Sequence, residues 1–100
     1  MKKYRRMVYG AGFAGKMMVN YLEICKKVQV EAIVVSNGHK ENDSYTLIKN
    51  IIDKTIPIIE LTEIDGNIKD IMFYITVDKG KEDVIQNVCS AGGEKRILLI

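Results

Sequence analysis

The stretch "VYGAGFAGKMM" (Val8 to Met18) constrains the fold more than any other part of the chain. Its glycines follow the spacing Gly10-x-Gly12-x-x-Gly15, between an apolar run and a segment with helical periodicity. In such a turn the first glycine permits a tight reversal. The second lets a phosphate approach the backbone, and the third lets a helix pack against a strand. The backbone N–H groups around Phe13 and Ala14 then face outward at a helix amino terminus, where an anion is favoured. The same residues also read as Gly10-x4-Gly15-Lys16, a P-loop lacking its final hydroxyl residue. A P-loop needs Ser or Thr next to bind Mg²⁺, and this chain has Met17.

The rest of the chain alternates in the same style. Tyr4 to Tyr9 reads as a first strand and Phe13 to Lys27 as a helix. That helix carries the apolar positions Ala14, Met17, Met18, Tyr21, Leu22, Cys25 and Val28. Val30 to Ser36 is a second strand, wholly apolar from Ala32 to Val35, as in strands covered on both faces. Asn37 to Asp43 is a polar loop. Asp43 or Ser44 is expected to cap a short helix bearing Leu47, Ile48, Ile51 and Ile52. Thr55 to Leu61 is a third strand, expected at a sheet edge because Pro57 donates no ladder hydrogen bond. Thr62-x-x-Asp65 suggests a one-turn helix or turn. Asp70 to Val77 is a fourth strand, Lys81 to Ala91 a helix, and Arg96 to Ile100 a fifth strand. This alternation predicts an α/β domain of three layers, αβα, around a five-stranded, mainly parallel sheet of order 3-2-1-4-5. Its switch point, and hence any ligand, falls over Gly10 to Gly15 and the Val77 to Gly80 turn.

The chain has 100 residues, 47% of them hydrophobic and 28% charged, which suits one domain with one core. Ending on an apolar strand, residues 1–100 are expected to be one domain of a longer polypeptide. The net charge of +2 points to no nucleic-acid partner, although Lys2, Lys3, Arg5 and Arg6 cluster. No apolar run is long enough to span a membrane, so no direct membrane insertion is expected. Cys25 and Cys89 sit on apolar stripes and are expected as reduced core thiols, which suits the cytoplasm. With His39 the single histidine, they cannot build a zinc site.

Candidate ligand contacts follow from the switch point. Gly10, Gly12, Phe13, Ala14 and Gly15 would cradle a phosphate. Ser36 and Asn37, ending the second strand, stand where a dinucleotide site usually has an acidic residue for the ribose. They can contact a ribose or sugar as neutral groups. His39 and Lys40 would suit a 2′-phosphate, but the Asn37-Gly38 pair marks a solvated turn. Asp78, ending the fourth strand, can contact a ligand hydroxyl or cap the next helix. Tyr45-x-x-x-Lys49 imitates the tyrosine–lysine pair of short-chain dehydrogenases, yet falls far from the switch point. It is read as helix packing. No catalytic set is present.

Four stretches together resemble the Rossmann-like domain of bacterial surface-polysaccharide enzymes. They are "MVYGAGFAGKMMVNYL", "VEAIVVSNGHKEN", "TIPIIELTEI" and "DIMFYITVDKGKEDVIQNV". Such domains occur at the amino terminus of sugar acyltransferases, in capsule nucleoside-diphosphate-sugar dehydratases, and fused to glycosyltransferases. "VEAIVVSNGHKEN" is most similar to the glycosyltransferase-associated group. The acyltransferase group usually has a histidine where this chain has Ala14, and acidic residues where it has Ser36-Asn37. The resemblance implies an accessory domain that binds a nucleotide or nucleotide-sugar beside a fused catalytic domain, in a chain that can form homo-oligomers. Two other readings stand beside it. One is an NAD(P)-binding domain of a nucleoside-diphosphate-sugar epimerase or dehydratase. The other is a structural or dimerisation module that binds nothing.

Overall fold

The computed structural model describes residues 5–49, 52–64, 70–76 and 86. Strand β1 (Arg5–Tyr9) is central, with Met7, Val8 and Tyr9 buried. It pairs in parallel with β2 (Ala32–Val35) on one side and β5 (Ile71–Ile75) on the other. All four residues of β2 are buried, which accounts for its unbroken apolar run. Next to β2 lies β4 (Ile52–Glu60), also parallel, in the register Ile33↔Ile58. Strand β3 (Ser44–Lys49) closes that side, antiparallel to β4. The sheet order is β3-β4-β2-β1-β5.

This differs from the expected 3-2-1-4-5, and the cause is local. The segment expected as a capped helix near Leu47 is instead strand β3. Tyr45 and Leu47 turn inward, while Thr46 and Ile48 face out. That is the twofold period of a strand. Strand β4, which corresponds to the expected third strand, is therefore covered on both edges and is not a sheet edge. Pro57 is accommodated by register. It pairs with Ser44 at the end of the β3 ladder, and the β2 ladder begins one residue later, at Ile58. The Ile58 N–H donates across to Asp43 O at 2.9 Å. Of the expected helix Lys81 to Ala91 only Gln86 is among the described residues, helical and exposed, and the expected fifth strand Arg96 to Ile100 lies outside them.

Helix α1 (Phe13–Asn20) runs into a wider, π-type turn over Tyr21–Cys25. Gly15, Met18, Val19 and Leu22 are buried and meet Val8, Ile33, Val35, Ile56 and Ile58 on one sheet face. The helical stripe is narrower than the sequence suggests. Met17 and Tyr21 are each 44% exposed. Cys25 is a free, exposed thiol, which corrects its expected place in the core. The extra residue in the π turn rotates the face presented after Asn20, carrying Cys25 outward and Glu23 inward. The other sheet face buries Met7, Tyr9, Ala32, Val34, Ile71, Phe73 and Ile75.

Buried Glu23 is held rather than stranded. It accepts a hydrogen bond from the Val30 N–H at 2.7 Å and pairs with the Lys54 ammonium. This joins the helical end, the start of β2 and β4. No helix among the described residues is long and apolar enough to cross a membrane.

Candidate functional site at the glycine turn

The site is built where β1 stops. The Gly10 N–H donates to Val34 O at 2.9 Å, and Tyr9 O accepts from both the N–H and the hydroxyl of Thr76, at 3.1 and 3.0 Å. Both neighbouring strands thus clamp the end of β1. Gly10 has φ 124°, a conformation that disfavours any side chain. The chain then doubles back so closely that a Cβ on Gly15 would sit 1.8 Å from Gly10 O. Gly15 is a packing requirement.

Gly12 is different in kind. Its φ of −79° suits any residue, and a Cβ there would meet nothing within 4 Å. It forms the N-cap of α1 but offers no side-chain cap, and no acidic residue lies in the first turn. The first helical bond is Lys16 N–H to Gly12 O, at 3.0 Å. The N–H groups of Phe13, Ala14 and Gly15 therefore have no acceptor within the helix. They carry the positive end of the helix dipole into the open space over Gly12.

Ser36 and Asn37 end β2 beside this turn. The Ser36 and Tyr9 hydroxyls lie 2.8 Å apart, which ties Ser36 to the end of β1. Asn37 has a structural task. Its Oδ1 accepts from the Thr62 N–H and hydroxyl at 3.3 and 3.1 Å. Ser36 to His39 forms a turn closed by the His39 N–H on Ser36 O, with Gly38 at φ 83°. His39 is exposed. Lys40 pairs with Asp43 and Glu63 at 3.6 and 3.7 Å. The structure thus brings Gly10, Gly12, Phe13, Ala14, Gly15, Ser36 and Asn37 to one end of the sheet. Asp78 and the Val77 to Gly80 turn lie outside the described residues.

Two residues at this end escaped the sequence reading. Thr76 is almost fully buried between Tyr9 O and Gly15, where its hydroxyl fixes the turn. Glu60, ending β4, accepts from the Gly38 N–H at 3.1 Å and forms a reciprocal capping box with Glu63 over Leu61–Glu63. A one-turn helix thus forms over Leu61–Glu63, where Thr62-x-x-Asp65 suggests a one-turn helix or turn, and Asp65 lies outside the described residues. A strand end next to a glycine turn was the available signal for Thr76. An E-x-x-E spacing after an apolar strand was the one for Glu60. Tyr45 lies on β3 and donates to Asn20 Oδ1 at 3.0 Å, so it packs as expected but from a strand. The Lys16 ammonium lies 5.8 Å from the centre of the Tyr45 ring, engaged there as a cation–π contact.

No family model and no curated protein matches the chain. Two solved structures do. One is aspartate semialdehyde dehydrogenase II from Vibrio cholerae complexed with ASA, at 16% identity and a TM-score of 0.61, over 97% of this chain and 30% of that one. The other is a second structure of aspartate semialdehyde dehydrogenase II from Vibrio cholerae, at 16% identity and a TM-score of 0.55, over 97% of this chain and 28% of that one. The likeness establishes a Rossmann-like α/β fold. The chain spans under a third of the length of these enzymes. Neither neighbour is a surface-polysaccharide enzyme.

Proposed function

We propose that the chain is a nucleotide-binding domain that holds the diphosphate of a nucleotide or dinucleotide on the N–H groups of Phe13, Ala14 and Gly15. One observation carries this reading. The helix amino terminus at the sheet's switch point has no cap among the described residues, and it opens over a glycine whose own packing does not require it to be glycine. The order β2-β1-β5 puts the turn where the chain's connections leave β1 toward opposite sides, the usual ligand position in open α/β sheets. Two structures of one dehydrogenase among the fold neighbours favour a dinucleotide such as NAD(P) as the first ligand to test. The domain would bind and orient, with reacting residues supplied elsewhere.

A nucleotide-sugar is the second reading, with the domain serving a fused surface-polysaccharide glycosyltransferase. It is favoured by the resemblance of "VEAIVVSNGHKEN" to the glycosyltransferase-associated domains. The test is calorimetry with NAD(H), NADP(H), and UDP-, CDP- and dTDP-sugars. Binding confined to the nicotinamide cofactors selects the first reading, and binding confined to the sugar nucleotides selects the second. A ligand at 100 times its Kd should raise the unfolding free energy by about 2.7 kcal/mol. If none of these ligands binds, the turn is a scaffold only.

A further inference from the structure

The opposite end of the sheet holds a second concavity. The amino-terminal ends of β1, β2 and β4 open onto a groove of about 720 Å³, within the size range of small-molecule sites. Its charged lining residues are Arg5, Arg6, Lys27, Lys54 and Glu31. Two of these cations are already matched. Arg5 forms a forked pair with Glu31, and Lys54 pairs with buried Glu23. Arg6 and Lys27 have no ion-pair partner among the described residues. The Arg6 Nε is buried and meets no acceptor, in a guanidinium that cannot shed its charge.

Lys27 supplies an independent sign. It is the one non-glycine residue with positive φ among the described residues, at 54°. It ends the helical segment in the left-handed conformation, with the Val28 N–H closing back on Leu22 O at 2.8 Å. That position suits glycine. A lysine there keeps an unfavourable backbone, while its side chain lines the groove with no ion-pair partner among the described residues.

We propose that this groove is a ligand site separate from the glycine turn, and that it takes a multiply charged oxyanion of the phosphate class between Arg6 and Lys27. A phosphate carrying two charges neutralises both cations and offers several acceptors to the Arg6 fork, whereas a lone carboxylate neutralises one. The chain's net charge of +2 favours a small anion in a groove over a long polyanion on a broad basic face.

The test is an amide chemical-shift titration of the ¹⁵N-labelled 100-residue chain with sodium pyrophosphate at fixed ionic strength, with acetate as the lone-carboxylate arm. Saturable shifts at residues 27–31 are expected with pyrophosphate and weaker ones with acetate. Lys27→Gly should melt at a higher temperature than the parent yet bind pyrophosphate at this end about tenfold more weakly. Lys27→Met, which keeps the backbone but not the charge, should lose the same affinity without the gain in stability. Gly12→Ala should leave the response at residues 27–31 unchanged, so failure here is distinct from failure at the glycine turn. Shifts that merely match a chloride control, acetate binding as tightly as pyrophosphate, or unaltered affinity in both Lys27 variants would each overturn the proposal.

Discussion

The glycines of the turn are not equivalent, and substitution should separate them. Alanine at Gly15 puts a Cβ 1.8 Å from Gly10 O, in a residue whose own N–H is held by Val34 O on β2. We expect Gly15→Ala to cost at least about 3 kcal/mol, the upper end for overpacking, as measured by urea unfolding. Serine at Gly12 meets open space and gives α1 the side-chain cap it lacks. Gly12→Ser should therefore keep or raise stability, by up to about 1 kcal/mol, while its hydroxyl competes for the N–H groups assigned to the ligand. Stability gained together with nucleotide affinity lost is the signature of a residue kept for binding. Gly12→Ser that binds as tightly as the parent chain would argue against that role. The sequence distinguishes neither glycine from the other. Spacing identifies the turn, whereas the steric duty of Gly15 and the freedom of Gly12 exist only after β1 and α1 have packed.

At the scale of elements, the parallel strands and the first helix were legible because their periodicities are unambiguous. Ala32 to Val35 has no polar interruption, and Met18, Val19 and Leu22 recur at helical spacing. The segment from Ser44 to Lys49 was not legible in the same way. Leu47 and Ile48 fit a helical stripe as well as a strand. The decision fell to Tyr45 and Leu47 packing inward while β4 supplied an antiparallel partner. Local pattern cannot see that partner, and β-branched Thr46 and Ile48 tipped the balance toward a strand. The ion pair that anchors this hairpin to α1 was equally hidden, because the π-type turn is what carries Glu23 inside. Removing its cation while leaving the buried carboxylate should be the harsher change. Lys54→Met is expected to destabilise by about 3 kcal/mol in denaturant unfolding. Glu23→Gln, which leaves the partly exposed Lys54 free to reach water, should cost clearly less. Equal losses would show that the pair's burial is not what matters.

For the molecule as a whole, the two ends of the sheet carry the two proposed sites. At the carboxyl ends of β1, β2 and β5 lie the glycine turn, Ser36 and Thr76. At the amino ends of β1, β2 and β4 lies the groove with Arg6 and Lys27. The Rossmann-like fold supplies the first end by topology, since the switch point falls beside β1. Fold alone names no ligand, so the account rests on the open amino terminus of α1. The most direct check is to follow the amide resonances of Phe13, Ala14 and Gly15 while NADP⁺, NAD⁺ and UDP-glucose are titrated into the labelled chain. The account predicts saturable shifts at these three amides with at least one nucleotide, lost in Gly12→Ser. Unmoved amides at saturating concentrations of all three nucleotides would contradict it.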